Sequence, residues 1–259
     1  MATDTARAIL SKVVFPTHLN TAEIKEQLAA EIRRRAFFSA TTHNASYLKK
    51  LQEICTKVAT GIIDQATARK HLQKMLDNIG YKSEEVGLTN LASKARLDLV
   101  LDTQRQMAHS IAQLKGQTPE DLAQYPGWTL ERYEGRIKPR SDWPARWKAA
   151  GDSVGWEGAS RTQMTALKDS PIWKALGDGA GGFKDTLDNP YPPFAFRSGL
   201  NWTPVSREDC QKLGLFGSDE EAVKQPKAPE FSPGEQEIAD ALKSLGKGFE
   251  SALLKELRG

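Results

Sequence analysis

The stretch Asn189–Trp202, NPYPPFAFRSGLNW, holds three prolines, four aromatic side chains and a single charge, that of Arg197. Proline fixes φ, removes a backbone donor and pushes the preceding residue out of the α region, so Asn189 to Pro193 runs extended. A flexible linker is rich in Gly and Ser or in charge, whereas Tyr191, Phe194, Phe196 and Trp202 carry enough apolar surface to demand burial. The segment reads as an ordered, packed loop with Pro192 and Pro193 at its bend. What it packs against, its own fold or a partner, has to come from the rest of the chain.

With 259 residues the chain can bury one sizeable core or two small ones. A formal charge of +3 is too small to announce a nucleic-acid binder, so any electrostatic role depends on local clustering. Cys55 and Cys210 are the two cysteines, too few for a disulfide framework and without C-x-x-C spacing, which fits a reducing compartment. The apolar run Ala8 to Leu10 is far short of a signal-peptide core, and no run approaches the ~20 residues that span a bilayer. The expectation is a protein with no membrane contact, made in the cytoplasm.

From Asn20 the apolar residues Ile24, Leu28 and Ile32 fall at helical spacing, and Asn20 with Glu23 has the form of a capping box. A second helix reads through Leu48, Leu51, Ile54, Cys55, Val58 and Ile62. Asp64 can start a third, with its stripe at Ala68, Leu72, Met75 and Ile79 and with Gly80 placed to end it. A fourth and longer helix runs from about Leu88 to Leu114 and is apolar nearly all round. After Gly116 come Pro119, Pro126, Pro139, Pro144 and Pro171, Gly clusters and all six tryptophans, a texture that excludes long helices in favour of strands and ordered loops. Trp128–Ile137 is the best strand, Leu200–Val205 a weaker one interrupted by Pro204, and Ser206 can open a short helix ending near Gly214. Beyond Phe216, GSDEEAVKQPKAPEFSPG is a linker by composition, leading to an amphipathic helix with Ile238, Leu242, Leu245, Phe249, Leu253 and Leu257 on one face.

The fold class expected is α+β: an N-terminal helical bundle with a long central helix, then a small, loop-rich mixed α/β region, then a C-terminal amphipathic helix. The boundaries fall at residues 1–117, 118–216 and 217–259.

Few residues carry a chemical signature. Asp98, Asp102, Arg105 and His109 line one face of the long helix, and a cation among the acids favours ion pairing over a metal. His18, His43 and His71 lack a partner at metal-binding spacing. No G-x-S-x-G elbow is present, and GDGAGG at 177–182 lacks the G-K-[ST] ending of a phosphate loop, so it reads as a flexible surface turn. Neither a catalytic residue nor a metal or cofactor site is assigned. The densest local charge is Arg132, Arg136, Lys138, Arg140, Arg146 and Lys148, interleaved with Trp143 and Trp147 and opposed by Glu134 and Asp142. Cations among flat rings suit nucleic acid, suit an acidic protein groove, and equally suit Arg-on-Trp stacking within the fold. The terminal helix, set off by a proline-bearing linker, is a candidate for docking on another chain.

In this order the segments resemble the phage Mu F-like head morphogenesis family, the minor capsid proteins of tailed phages. The long helix offers Arg96 and Thr103 in LTNLASKARLDLVLDTQRQM, the strand WTLERYEGRI has Trp128 and Tyr133, and the turn KPRSDW has Arg140. KDSPIW at Lys168–Trp173, the opening segment, and VSREDCQKLGL follow. The resemblance covers roughly Leu48 to Leu215. Many members have a histidine after the arginine turn and a C-x-C near the end of the domain. Here the turn continues with Ser141, Asp142 and Trp143 and only Cys210 remains, so a metal is not carried over. Aromatic packing by Tyr191, Phe194, Phe196 and Trp202 would do the holding instead, at ~1.5 to 3 kcal/mol per buried large side chain.

The resemblance implies a non-enzymatic minor head protein of the virion that meets the portal protein or the major capsid protein during assembly, with packaged DNA as a further contact. Two rivals come from other classes. A transferase- or toxin-like phage enzyme requires a polar pocket on the Asp98 and Asp102 face. A nucleic-acid-binding regulator requires a basic recognition helix, which the sequence lacks.

Overall fold

The computed structural model describes residues 2–133, 140–156, 163–215 and 223–228. They form an α+β protein in which helices outweigh two small sheets. The described residues fall into two compact units, one ending at His109 and the other running from Ser110 to Ala228.

In the first unit α1 (Ala2–Leu10) leads to β1 (Val13–Val14), which pairs in parallel with β2 (Ala36–Phe37). Two-residue strands leave no periodicity to read, and neither was visible in the sequence. Phe15 and Thr17 prolong the pairing by donating backbone N–H bonds to Phe37 O (2.8 Å) and Thr42 O (2.8 Å). Between the strands the single helix expected from Asn20 is two: α2 (Thr21–Gln27) and α3 (Ala30–Arg35). The Asn20–Glu23 capping box opens α2, and Leu28 ends it in an extended conformation while donating its own N–H to Ile24 O. Ile24, Leu28 and Ile32 still converge on Phe15 and Ala36, which explains why their spacing looked continuous.

The pair α4 (Ala45–Ala59) and α5 (Gln65–Asn78) follows the periodicity closely. Asn44 caps α4 through Tyr47 N–H, and Asp64 caps α5 through Thr67 N–H. Leu48, Leu51, Ile54, Cys55, Ala68 and Leu72 are buried, Ile62 lies beyond α4 and is 69% exposed, and Gly80 takes the left-handed conformation at φ 72°. Gln52 Nε2 closes the end of α1 by donating to Ile9 O and Lys12 O at 2.8 and 2.7 Å. The long helix α6 (Lys94–Lys115) starts six residues later than the apolar pattern suggests. Its start is set by Ser93, whose Oγ accepts from Arg96 N–H at 3.1 Å, after Asn90 has turned the chain by accepting from Ala92 N–H.

The second unit is built on an antiparallel sheet in the order β4-β3-β5, made of β3 (Gly127–Arg132), β4 (Thr165–Leu167) and β5 (Leu200–Val205). Trp128 on the central strand lies opposite Ala166 on one side and Pro204 on the other. Pro204 therefore sits on an edge strand, where a missing donor is tolerated. Of the expected strand Trp128–Ile137, β3 accounts for the part up to Arg132, Tyr133 follows it, and residues 134–137 lie outside the described residues.

Four short helices complete the unit: α7 (Pro119–Gln124), α8 (Trp143–Ser153), α9 (Ile172–Asp178) and α10 (Arg207–Lys212). The first three were missed because their prolines were read as breakers. Pro119 is the first residue of α7, Pro144 stands in the first turn of α8, and Pro171 is the N-cap of α9. Proline is at home in a first turn, where its missing N–H would have had no helical partner. Ser206 caps α10 through Asp209 N–H, as its sequence suggests. The terminal helix through Ile238, Leu242, Leu245, Phe249 and Leu253 lies outside the described residues.

Candidate functional site

The segment Asn189–Trp202 closes the second unit. Leu187 N–H donates to Phe194 O at 2.9 Å, Thr186 and Ala195 form an isolated antiparallel bridge, and the Pro192–Pro193 peptide is cis. Tyr191, Pro192, Pro193, Phe194 and Trp202 are buried, and Phe196 is half-buried. The Trp202 indole stacks on Trp128 with ring centroids 3.8 Å apart and planes 10° from parallel. Trp173 meets Trp202 edge-on at 5.5 Å, Phe194 lies 6.2 Å from Trp173, and Trp147 tilts against Trp173 at 5.3 Å. Offset stacks and T-shaped pairs are the geometries aromatic quadrupoles prefer, adding ~0.5–1.5 kcal/mol per pair to area burial. Trp128, Trp173, Phe194 and Trp202 thus form one interior.

The start of the glycine run beside it is packed, which corrects its reading as a flexible surface turn there, while Gly181 and Gly182 are exposed in a turn. Gly177 ends α9 against the loop so closely that a Cβ there would sit 1.8 Å from Asn189 O. At Gly179, in the left-handed conformation, a Cβ would come within 2.3 Å of Phe183 O. Asp188 N–H donates to Gly177 O at 3.1 Å and completes the seam.

The basic cluster divides. Trp143 and Trp147 are 2% and 1% exposed, so neither ring is presented to a partner. Arg140 and Arg146 form a closed network with two aspartates. Arg140 reaches Asp142 at 2.8 Å and Asp185 at 2.7 Å, and Arg146 reaches the same pair at 2.7 and 2.6 Å. Both guanidiniums lie over the Trp143 ring, at 5.6 and 5.3 Å, and Arg146 also covers Phe183 at 4.2 Å. Hydrogen bonds from Arg140 first, then Arg146, outweigh partial burial and pull the Asp142 carboxyl down to about 2. At Asp185 burial alone would raise the pKa, but the bonds from Arg146 and Arg140 win and lower it. Arg140 also donates to Phe196 O at 3.4 Å, tying the network to the closing loop. Among these four residues Arg146 is buried, Arg140 and Asp142 are half-buried and Asp185 is exposed, so both guanidiniums are held by partners within the unit. Arg132 is exposed and donates to Arg140 O at 3.2 Å, while Lys148 is exposed and pairs with Asp152 at 2.6 Å. Arg136 and Lys138 lie outside the described residues.

On α6, Asp98 is held by Arg69 at 2.6 Å and Lys94 at 2.5 Å, with Gln65 donating at 3.1 Å. Asp102 meets Arg105 at 3.4 Å. The cation satisfying Asp98 thus comes from α5 and from its own helix, not from Arg105. His109 is lowered by burial first and by Arg105 second. Arg96 donates to Ser39 Oγ and Ala40 O, both at 2.7 Å, pinning the segment after β2, and Thr103 is buried. Among the described residues no group of three or more His, Cys, Asp or Glu is placed to hold a metal. Nor is any described helix long and apolar enough to cross a membrane.

Two buried lysines escaped the sequence reading. Lys168 lies over the face of Trp128 at 5.3 Å and donates to Gln117 Oε1. Burial lowers it to about 8, against the pull of Asp121 and Cys210. Lys12 donates to Gln104 Oε1 at 3.1 Å and is likewise lowered to about 8 by burial. Burial pushes the neighbouring Cys55 thiol up to about 12, and burial with Asp209 raises Cys210 to about 11, so neither is an activated thiolate.

No family model, curated protein or solved structure matches this chain.

Proposed function

We propose that the protein is a non-catalytic minor head protein of a tailed phage, similar in layout to the Mu F-like head morphogenesis proteins. It acts in few copies where the portal protein or the inner surface of the capsid is joined during assembly, and it stays in the particle beside packaged DNA. One observation carries the reading. Of the segments on which the likeness rests, the part of the long helix with Arg96 and Thr103 falls in the first unit, while Trp128–Tyr133, Lys168–Trp173, Asn189–Trp202 and Val205–Leu215 belong to the second, where Trp128, Trp173 and Trp202 pack together in its interior. Segments that are short and unspecific singly become a coherent module when their aromatic residues share a core. Asp98 is tied up in ion pairs and burial raises both thiols, so neither the Asp98 face nor a cysteine lends support to the enzyme reading.

The experiment is mass spectrometry of particles purified from a lysate of the phage that encodes the chain. The chain is expected in mature heads at a few copies per portal ring. Its absence both from mature heads and from assembly intermediates overturns the reading.

A further inference from the structure

We infer that the helical pair α4–α5 and the turn after it form a lysine face that binds the phosphate backbone of double-stranded DNA without regard to sequence. This deepens the head-protein reading, from which it takes the identity of the polyanion.

The charge of the chain is unevenly placed. Residues 1–109 carry 16 Lys and Arg against 11 Asp and Glu, whereas residues 110–228 carry 16 against 16. Within the first unit the excess gathers on residues 44–82, which hold seven cations and three acids. Their internal partners decide which cations are available. Lys50 pairs with Glu53, Arg69 pairs with Asp98, and the Asp64 carboxylate is taken by Thr67 N–H and Oγ1 at the start of α5. Lys49, Lys57, Lys70, Lys74 and Lys82 remain. All five are exposed, and none makes an ion pair among the described residues. The cluster at residues 132–148 shows the opposite pattern, with Arg140, Arg146 and Lys148 each holding an aspartate.

The helices dictate the arrangement. Helix α4 turns Tyr47, Leu48, Leu51, Ile54 and Cys55 inward and leaves Lys49 and Lys57 outside; α5 buries Ala68, Leu72 and Leu76 and leaves Lys70 and Lys74 outside. At a 1.5 Å rise, Lys70 and Lys74 start about 6 Å apart along the axis, and Lys49 and Lys57 about 12 Å. Among the Phe, Tyr and Trp side chains of residues 44–82 none is exposed, since Tyr47 is buried and Tyr81 is half-buried, so no large ring is offered for base stacking. Flexible point charges without a fork or a pocket suit a continuous line of phosphates, where no register has to be matched, better than a carboxylate patch with fixed geometry.

Purified full chain is titrated with a fluorescent double-stranded DNA of mixed sequence between 50 and 200 mM salt. With most of the five lysines engaged, log K falls against log salt with a slope of about −4, an affinity loss of about 250-fold over that range. Replacing all five, K49Q/K57Q/K70Q/K74Q/K82Q, is expected to bring the slope close to zero. The five Lys→Arg replacements are expected to keep it, as is R132Q/K148Q. Because every changed side chain is solvent-exposed, an unchanged far-ultraviolet dichroism spectrum accompanies each variant. Three results would each overturn the inference: no binding by the wild-type chain at 50 mM salt, a slope unmoved by the glutamine variant, or complete displacement of the DNA by polyglutamate at equal charge. Failure here leaves the virion test untouched, and absence from virions leaves the salt slope untouched.

Discussion

Trp128→Ala is expected to destabilise the second unit by about 3–5 kcal/mol, the usual cost of emptying a fully buried tryptophan site. The ring is 0% exposed, stacks on Trp202 at 3.8 Å, meets Trp173 edge-on at 6.3 Å and carries the Lys168 ammonium over its face. It also sits on the middle strand, so the cavity would open over the centre of the sheet. A domain holds only about 5–15 kcal/mol in all, so the variant would be close to melting. Trp128→Phe is expected to cost less than half as much. The indole Nε1 makes no hydrogen bond to the described residues, and a phenyl ring retains the stack on Trp202. Urea unfolding of the three proteins, followed by far-ultraviolet dichroism, measures both differences. An alanine variant within 1 kcal/mol of wild type would show that Trp128 is not part of a packed interior.

The second large effect belongs to a residue without a side chain. Gly177→Ala adds one methyl group to a helix, which by propensity alone would stabilise it by about 1 kcal/mol. Here the added carbon would lie 1.8 Å from Asn189 O and 2.6 Å from Asn189 C, both backbone atoms of the closing loop. No rotamer change relieves a clash with backbone, so the loop or α9 must shift, and overpacking of this kind costs ~1–3 kcal/mol or more. The expected outcome is net destabilisation of at least about 2 kcal/mol with loss of near-ultraviolet tryptophan dichroism. Gly182→Ala is the internal comparison. Its added carbon meets nothing within 4 Å, and only the left-handed backbone at φ 86° resists it, for about 1–2 kcal/mol with packing intact. The near-ultraviolet signal distinguishes the two. If it survives in Gly177→Ala, the contact between α9 and the loop is not structural.

What the sequence could reveal about this fold was whatever its neighbours in sequence determine. Asn20 with Glu23, Asp64 with Thr67, and Ser206 with Asp209 are caps closed within three residues, and the elements they open were legible. Leu200–Val205 was legible because its composition favours a strand and its ends are marked by Gly199 and Ser206. The prolines of α7, α8 and α9 were ambiguous, because the residue that forbids a helix interior is favoured in a first turn. The partners of the basic cluster were hidden for a different reason. Asp185, which neutralises Arg140 and Arg146, lies 45 and 39 residues away along the chain, and no local pattern announces it. The glycine run lost its meaning similarly, since what requires Gly177 is a carbonyl twelve residues on. The packing of the Asn189–Trp202 loop was foreseen from its own residues; the side chains that receive it, Trp128, Trp147 and Trp173, had to be located by the fold.

Those rings also provide the most direct measurement. Five tryptophans, Trp128, Trp143, Trp147, Trp173 and Trp202, are at most 4% exposed, and Trp156 is half-buried. Collisional quenching of the native full chain by acrylamide should therefore be several-fold weaker than after unfolding in guanidinium, with blue-shifted emission from most of the signal. Quenching and emission indistinguishable between the native and unfolded chains would place the tryptophans in water and contradict an interior built from them.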